Sequence, residues 1–317
     1  RLYETVQRAI GFENGQIVFA SKLMKEVLSK AEMVAQTDFT VLLRGESGVG
    51  KELIARFIHE RSRRRERPFV PVNCAALPES LLESELFGFE KGAFTGALSR
   101  KLGKFEAAEG GTILLDEVTE MDLKLQAKLL RALQEGEIEV IGSRYPKKVD
   151  VRVIATTNRK IEQLVEEGKF REDLYYRLNV FPIQIPPLRE RKEDIPVLVE
   201  YLLRKYSKGF DVRIDDEAMG LLLQREWRGN VRELENVIAR ACVLSGFTVI
   251  KRSHLHDLTT ESRQMSSCVR DMEMRLILDT LRAVGGNRTK AASLLGITPR
   301  TIRNKLRQYR QMGVEIP

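Results

Sequence analysis

The sequence predicts a parallel α/β domain followed by two smaller helical units, and three observations carry this prediction. Five short apolar runs divide the first 185 residues, and each has the length of a buried strand. Helical patterns lie between them, for example over residues 52–60 and 123–134, and this alternation is typical of a parallel sheet covered by helices on both faces. From residue 195 to residue 244 the pattern is helical throughout, without a strand candidate. The five predicted strands are residues 40–43, 69–72, 112–115, 151–155 and 180–185.

The domain boundaries follow from breaks in these patterns. Pro186 and Pro187 end the last predicted strand, and the helical stretch after them predicts a small lid domain. A polar segment then separates the lid from a last unit, in which helical periodicity resumes at Val269. We expect a linker remnant over residues 1–13, the sheet domain over 14–187, the lid over 188–255, a linker over 256–268 and the C-terminal unit over 269–317.

The composition argues against a membrane protein and a disulfide scaffold. Apolar residues make up 43% of the 317 residues and charged residues 31%, and no apolar run approaches the roughly 18 residues that a membrane span needs. Cys74, Cys242 and Cys268 are far apart and lack the spacing of metal ligands, so we expect them to be structural in a reducing cytoplasm, with no membrane contact. The chain begins with Arg1, and we expect it to be part of a longer protein.

Positive charge is concentrated at the C-terminal end. The formal net charge of the chain is +8. Residues 269–317 contain ten Lys and Arg against four Asp and Glu, a net charge of +6 for that unit alone. A small basic module of this kind indicates a polyanion as its partner.

A glycine-rich loop follows the first predicted strand and opens directly into a predicted helix. Its glycines allow backbone N–H groups to surround phosphate oxygens, the helix N-terminus adds its positive dipole end, and Lys51 reaches the terminal phosphates. Glu52 stands where the general motif has a magnesium-binding hydroxyl, so the magnesium ligand must come from elsewhere. The loop, of the form G-x-x-x-x-G-K, consists of Gly45, Glu46, Ser47, Gly48, Val49, Gly50 and Lys51.

Polar side chains end three of the other predicted strands. Asp116 and Glu117 follow the strand at 112–115, where one carboxylate can hold magnesium while its neighbour polarises the attacking water. Asn158 can bind the same water or the terminal phosphate, and Asn73 can pair with Glu117 and gate it. The alternative for the two carboxylates is a role in capping the next helix. Together with the glycine-rich loop, these residues predict an ATP site that uses Mg²⁺.

The phosphate loop, the Asp-Glu pair and the strand-end Asn occur in the order found in the AAA+ ATPases, which the chain resembles. Residues 92–97 are identical to the GAFTGA sequence of the sigma-54 enhancer-binding transcription activators of the NtrC class, and residues 83–88 are equally similar. From residue 14 to the C-terminus almost every segment resembles this family, including Glu52 after the phosphate loop. The resemblance implies a three-layer AAA+ domain with a helical lid.

The same resemblance assigns roles to residues that spacing alone leaves open. The GAFTGA loop would contact sigma-54, rising when ATP binds and falling after hydrolysis; without the resemblance, a glycine-rich turn with an incidental Phe is equally good. Arg171 and Arg177 would reach the ATP of a neighbouring subunit, and their alternative is surface pairing with Glu172 and Asp173. Arg232 would contact ATP from its own subunit, and its alternative is a lid salt bridge to Glu233 or Glu235. The predicted sigma-54 contacts are Gly92, Ala93, Phe94, Thr95, Gly96 and Ala97.

The C-terminal unit has helix-turn-helix spacing. Residues 288–295 form the first predicted helix and residues 300–309 the second, with Thr298 as N-cap and Pro299 at the first helical position. The alternative is a solvated basic helix end. Residues 287–309 resemble the Fis-type DNA-binding domain, which implies a dimer joined around residues 272–281. The predicted DNA-binding residues are Asn287, Thr289, Lys290, Thr298, Arg300, Thr301, Arg303 and Asn304.

These predictions combine into one hypothesis. Dimers bind upstream enhancer DNA, assemble into a hexameric or heptameric ring, and hydrolyse ATP to convert the closed complex of sigma-54 RNA polymerase into the open one. An AAA+ remodeller of other clients, such as a replication loader, is the first alternative, which the GAFTGA loop disfavours. A DNA-binding regulator that only senses nucleotide is the second, which Glu117 and the two arginines disfavour. The resemblance also implies an N-terminal regulatory domain before Arg1, often the receiver of a two-component system.

Overall fold

The computed structural model describes residues 17–94, 97–207 and 209–255 together with Leu281. In this part of the chain the strands and helices alternate as predicted, and all five predicted strands are present within two residues of their expected ends. In chain order the strands are β1 (Val41–Arg44), β2 (Phe69–Asn73), β3 (Thr112–Asp116), β4 (Glu137–Ile138), β5 (Lys147–Lys148), β6 (Arg152–Thr157), β7 (Phe181–Gln184), β8 (Arg213–Ile214) and β9 (Val249–Ile250). The helices are α1 (Lys22–Ala35), α2 (Lys51–Glu60), α3 (Glu79–Phe87), α4 (Lys104–Ala107), α5 (Leu123–Glu135), α6 (Ile161–Glu166), α7 (Glu172–Leu178), α8 (Asp194–Tyr206), α9 (Asp216–Gln224) and α10 (Asn230–Leu244).

The central sheet has five strands in the order β2-β3-β6-β1-β7, and every neighbouring pair is parallel. Parallel strands align their carboxyl ends along one edge of a sheet, so the residues after β1, β2, β3 and β6 meet there. The register pairs Asn73 at the end of β2 with Asp116 at the end of β3. This edge is where the predicted phosphate loop and the predicted carboxylates come together.

Successive residues of the sheet enter two different hydrophobic cores, because side chains alternate between the faces of a strand. Leu42 packs on one face with residues of α3, α5, α6 and α7. Its neighbours Val41 and Leu43 pack on the opposite face with residues of α1 and α2. The sheet is therefore buried on both sides between two helical layers, which confirms the three-layer α/β prediction and explains why its strands are continuous apolar runs.

The region after β7 is mainly helical, as predicted, with α8 packed on both α9 and α10. The prediction that residues 195–244 contain no strand is wrong at one place, because β8 pairs with β9 in a two-stranded sheet. Two residues are too few to show an alternating pattern, so the sequence carries no signal for this pair. The short antiparallel pair of β4 and β5 escaped prediction for the same reason.

The chain divides into two compact units between Val249 and Ile250. The predicted helix-turn-helix and its eight DNA-binding residues, from Asn287 to Asn304, lie outside the described residues. So do the predicted N-terminal remnant at 1–13 and the linker at 256–268, and the predicted domain bounds stay predictions. Among the described residues, no helix has both the length and the apolar character needed to cross a bilayer.

Candidate functional site

A cleft of about 540 Å³ opens at the carboxyl edge of the sheet. The phosphate loop lines one side, the residues that end β2, β3 and β6 form the floor, and the start of α10 completes the lining. Most of the residues predicted for the ATP site are thus gathered in one place. The lining includes Ser47, Gly48, Gly50, Lys51, Glu52, Asn73, Asp116, Glu117, Asn158 and Arg232.

The backbone of the phosphate loop requires glycine at Gly48 and Gly50. Gly48 has φ +78°, and a Cβ atom there would lie 2.3 Å from the carbonyl oxygen of Gly229. Gly50 has φ +104° and is the N-cap of α2, so no side chain covers the first N–H groups of this ten-residue helix. An uncapped helix N-terminus attracts an anion through its free N–H groups and its dipole. The local structure therefore fits a phosphate group.

Lys51 is buried in the cleft at 6% exposure. Its Nζ atom donates to the carbonyl oxygen of Gly45 at 2.9 Å and lies 3.1 Å from Glu117 Oε1. A lysine can be buried as a cation when an acidic group and carbonyl oxygens surround it. The ammonium group is therefore held at the end of the loop, next to the Glu117 carboxylate, which follows β3.

Asp116 and Glu117 are held by a chain of hydrogen bonds that includes a residue the sequence analysis missed. The Thr156 hydroxyl accepts from Glu117 N at 3.0 Å and donates to Asp116 Oδ1 at 2.7 Å. Asn158 N donates to Glu117 Oε2 at 3.1 Å. Glu117 has φ +56°, a conformation that non-glycine residues rarely adopt and that is frequent at functional sites. Thr156 lies two residues before the predicted Asn158, and the signal available in the sequence was a hydroxyl residue directly after an apolar predicted strand.

The structure gives Asn73 a different partner from the one predicted. Its side-chain amide donates to Asp116 Oδ2 at 3.3 Å, whereas Glu117 is engaged with Lys51 and Asn158. The parallel register explains this, because the last residue of β2 lies directly opposite the last residue of β3, and Glu117 is one position further on. The predicted pairing of Asn73 with Glu117 is therefore not present.

The donor set around Asp116 suits magnesium that is shared with phosphate. The described residues contain no group of three or more His, Cys, Asp or Glu side chains able to enclose a metal ion. Magnesium bound to nucleotides uses one or two carboxylates and completes its shell with phosphate oxygens and water. Asp116, at the cleft floor below the phosphate loop, fits that arrangement.

Cys74 lies directly behind this floor and is a neutral thiol. Burial raises its pKa to about 12, and the nearby charges of Asp116 and Glu117 act in the same direction. A thiol with this pKa is neither a nucleophile nor a metal ligand at neutral pH.

Arg232 extends from the first turn of α10 to the phosphate loop. Its Nη1 atom donates to Ser47 Oγ at 3.1 Å. The two acidic residues considered as alternative partners are otherwise engaged, Glu233 with Arg225 at 3.4 Å and Glu235 with Lys205 at 2.8 Å. The guanidinium group therefore faces the cleft.

Arg171 and Arg177 lie outside the cleft of their own chain. Arg171 precedes α7 and makes two hydrogen bonds to the carboxylate of Asp173, at 3.0 and 2.6 Å. Arg177 donates through Nε to the carbonyl oxygen of Leu133 at 3.1 Å. Within one chain, Arg171 thus forms a surface ion pair, which was the alternative considered for it.

The GAFTGA loop (residues 92–97) lies in an insertion between α3 and α4. Gly92 N donates to the carbonyl oxygen of Ala97 at 2.9 Å, which closes the base of the loop, and Thr95 and Gly96 lie outside the described residues. Phe94 is 48% exposed and touches Phe89 edge to face at 4.9 Å. The loop therefore presents an aromatic side chain to solvent on a closed backbone turn.

The base of the loop is joined to a second loop of the same domain. Phe89 pairs with Lys101 across the insertion and with Ile141 in the segment between β4 and β5. Ala93 lies so close to Gly142 that a Cβ atom added there would be 2.8 Å from the Ala93 Cβ atom. The exposed tip thus stands on a base that is tied to the body of the domain.

A phosphate loop at the carboxyl edge of a parallel sheet, an Asp-Glu pair on the neighbouring strand and a helical lid over the cleft define a P-loop ATPase of the AAA+ class. Comparison with protein families agrees with this class and narrows it. Residues 17–184 match the family described as Sigma-54 interaction domain, residues 189–270 the AAA+ ATPase lid domain, and residues 269–309 the Bacterial regulatory protein, Fis family. The chain belongs to the sigma-54-dependent transcription activators, which combine an ATPase domain with a helix-turn-helix.

Several relatives are similar over nearly the whole chain. The transcriptional regulatory protein FlbD of Caulobacter vibrioides is 46% identical, and the alignment covers 100% of this chain and 75% of that protein. The regulatory protein AtoC of Escherichia coli is 47% identical over 93% of this chain and 68% of that protein. Among solved structures, NtrX of Brucella abortus in complex with ADP has a TM-score of 0.72 and 34% identity, covering 97% of this chain and 71% of that one. NtrX has also been solved with ATP, with a TM-score of 0.71 and 33% identity over 97% of this chain and 72% of that one.

Proposed function

We propose that this chain hydrolyses ATP at the boundary between neighbouring copies in a ring and transmits the energy through Phe94 and Thr95 to sigma-54. Family membership supports the activator role, and the site supports its mechanism. The single observation that carries the proposal is the joint presence in one domain of a complete phosphate cleft and an exposed GAFTGA loop.

The cleft residues divide the work of hydrolysis. Lys51 and the N–H groups of the phosphate loop bind the phosphates, and Asp116 would hold Mg²⁺. ATP with Mg²⁺ supplies the phosphoanhydride bond whose cleavage releases the energy. Glu117 then orients the attacking water and accepts its proton. The relative NtrX, solved with ATP and with ADP, supports the choice of nucleotide.

The pairing of Lys51 with Glu117 suggests how the general base is kept unavailable until the nucleotide binds. Glu117 has one carboxylate oxygen on Lys51 and the other on Asn158 N. When Lys51 turns to the phosphates, Oε1 becomes available to a water molecule. The base is thus released in the same step that fills the cleft.

Arg171 and Arg177 lie outside the cleft of their own chain, which supports a role across a subunit boundary. A guanidinium group that neutralises the transferred phosphoryl raises the rate by about 10³ to 10⁵. On this proposal the active form is a hexameric or heptameric ring, and Arg232 completes each site from its own lid.

The C-terminal unit would hold this ring at enhancer DNA. Its match to the Fis family supports double-stranded DNA as partner and a dimer as the binding unit. On this proposal Thr301, Arg303 and Asn304 contact bases, whereas Asn287 and Lys290 contact phosphates. Such a protein acts in the bacterial cytoplasm, where the promoter and the polymerase are.

The proposal is tested by a variant that separates ATP hydrolysis from open-complex formation. Phe94→Ala should keep ATP turnover within about twofold of the wild type, yet reduce open-complex formation by sigma-54 polymerase by at least about tenfold, because an exposed aromatic tip is a typical contact hot spot. Phe210→Ala is the matched control, since Phe210 is also an exposed aromatic, at 60%, and also contacts one other ring, stacking on Phe247, but it lies on the lid. It should leave both rates unchanged.

A second variant tests the enzyme itself. Glu117→Gln should retain ATP binding and lower turnover by about 10² to 10⁴, the usual contribution of a general base. Wild-type and Glu117→Gln proteins with equal, negligible turnover would favour the nucleotide sensor. Normal turnover and normal open-complex formation after Phe94→Ala would contradict the transmission route.

A further inference from the structure

Three consecutive carbonyl groups of the phosphate loop are bound by lid residues. The bonds run from Asn230 Nδ2 to Ser47 O, from Val231 N to Gly48 O and from Arg191 Nη2 to Val49 O, each at 3.0 Å. Two of these donors belong to the first turn of α10, and the third precedes α8. The back of the phosphate loop is thus in contact with the lid along its whole central part.

These bonds set the direction of the groups that bind an anion. In a trans peptide, the carbonyl of one residue and the N–H of the next point to opposite sides of the chain. Fixing the carbonyls of Ser47, Gly48 and Val49 toward the lid therefore turns the N–H groups of Gly48, Val49 and Gly50 away from it. Successive N–H groups aligned in this way form the concave anion site of a phosphate loop.

Asn230 is the side chain that best fits this task. It is fully buried and has φ +54°, which Asn tolerates better than most residues. Its amide is satisfied on both sides, because Oδ1 accepts from Leu188 N at 2.8 Å while Nδ2 donates to Ser47 O and to Glu46 Oε2, the latter at 3.1 Å. An amide side chain suits this position, because it offers a donor NH₂ group and an acceptor oxygen in one plane.

Glu46 is fixed in turn from the lid side. Arg189 binds its carboxylate through both terminal nitrogens, at 2.9 and 2.6 Å. A bidentate pair of this geometry holds both planes in place. Arg189, which follows the sheet, and Asn230, in the first turn of α10, therefore both bind the phosphate loop.

We propose that Asn230 is a positioning residue of the phosphate site, which holds the loop in its anion-binding conformation and so makes triphosphate affinity depend on the position of the lid. This rests on the proposed function, in which the loop binds ATP. Arg232 is two residues further on and reaches Ser47 Oγ. A movement of α10 therefore shifts Arg232 together with Asn230 and Val231, which donate to the loop carbonyls. Binding of the phosphates and placement of Arg232 are then one event.

Asn230→Asp is the decisive variant, because it keeps the size, the left-handed backbone and the acceptor for Leu188 N. It removes both donated bonds and places a carboxylate beside Glu46. Calorimetric titration of the full chain with ATP and with inorganic tripolyphosphate should show both ligands weakened by the same factor, at least about tenfold. Tripolyphosphate reports on the phosphate-binding groups without the nucleoside, since it lacks the base and the ribose.

Two further variants separate positioning from folding. Asn230→Gly keeps the left-handed backbone without a side chain, and it should weaken both ligands without the added charge. Ile238→Val lies about two turns further along α10 in the buried lid core, and it should lower the melting temperature while leaving both affinities unchanged.

Unchanged binding of both ligands by the two Asn230 variants would overturn the inference. So would weaker ATP binding with normal tripolyphosphate binding, because Asn230 would then act on the nucleoside and not on the loop. Failure of the wild-type chain to bind ATP would instead overturn the proposed function.

Discussion

The nucleotide cleft and the GAFTGA loop differ in how firmly their working side chains are held. In the cleft, Lys51 is 6% exposed and its ammonium group lies between carbonyl oxygens and Glu117. In the loop, Phe94 is 48% exposed and has one aromatic edge contact, with Phe89. Chemistry needs charges fixed before the reaction starts, whereas contact with another macromolecule needs a tip that its partner can reach.

The two regions are nevertheless adjacent along the chain. The chain leaves the cleft at Asn73, passes through α3 to the loop, and returns through α4 and β3 to Asp116. The segment that carries the loop thus begins and ends at cleft residues, Asn73 and Asp116, whose side chains hydrogen-bond to each other at 3.3 Å. The GAFTGA loop and the cleft floor therefore belong to one continuous segment of the chain, residues 73–116.

The largest expected effect breaks the cleft without touching the loop. Arg171→Ala should lower ATP turnover by about 10³ to 10⁵, because on this proposal the guanidinium group that stabilises the transferred phosphoryl comes from the neighbouring chain. Arg213→Ala is the matched control, since Arg213 also makes a two-bond ion pair with an Asp two residues away but lies on the lid surface. Steady-state phosphate release measures both.

Mixing variants tests whether Arg171 acts across a boundary. Arg171→Ala chains mixed with Glu117→Gln chains should regain part of the turnover, because some boundaries then combine an intact base with an intact arginine. Mixtures as inactive as the separate variants would count against the shared site. Equal turnover of Arg171→Ala and Arg213→Ala would mean that Arg171 has no catalytic role and only forms its surface ion pair with Asp173.

A smaller effect tests how tightly the cleft is packed. Gly48→Ala should weaken ATP binding at least about tenfold, because the new Cβ would lie 2.3 Å from Gly229 O and push the lid away. Gly246→Ala is the control: Gly246 has φ +60° and nothing within 4 Å of a built Cβ, so it carries only the backbone cost of roughly 1–2 kcal/mol. Equal affinities in the two variants would mean that the lid yields freely.

The fold and most of the cleft could be predicted because their signals are local. The five strands are short apolar runs, and the three inner ones, β1, β3 and β6, are buried on both faces. The loop motif combines glycines, a strand and a helix within a few residues. Asp116 and Asn158 were predicted from strand ends alone, since parallel strands meet at one edge. These features need no knowledge of distant contacts.

What the sequence could not show depends on partners far along the chain. Asn230 contacts the phosphate loop although more than 180 residues separate them in the sequence. Nothing in the neighbouring sequence distinguishes a residue that positions this loop from one that caps a helix. The pairing of Asn73 depends on register, which places it opposite Asp116. The pair of β8 and β9 joins two-residue strands that are separated in the chain by α9 and α10. Each is a tertiary effect without a sequence period.

A substitution at the base of the GAFTGA loop tests the comparison at the loop instead of at the cleft. Phe89→Leu removes the edge contact to Phe94, worth about 0.5–1.5 kcal/mol, while Leu still fills the half-buried site. We expect ATP turnover to stay unchanged and open-complex formation to fall by roughly three- to tenfold. A parallel loss of turnover would show that the base of the loop acts back on the cleft.

The smallest expected effect concerns pH and the hold of the lid on the loop. The hydrogen bonds from Arg189 and then Asn230 lower the pKa of Glu46 to about 2 from its ordinary 4.5. A depressed pKa means that the carboxylate stabilises the fold fully above pH 4.5 and loses this contribution as the pH falls through about 2. The side chain is 42% exposed, so solvent screening limits the contribution to less than about 1 kcal/mol. The difference in melting temperature between the wild type and Glu46→Gln should therefore shrink from about pH 5 toward pH 2. A constant difference would show that the charge of Glu46 adds nothing and that its shape alone fits the lid.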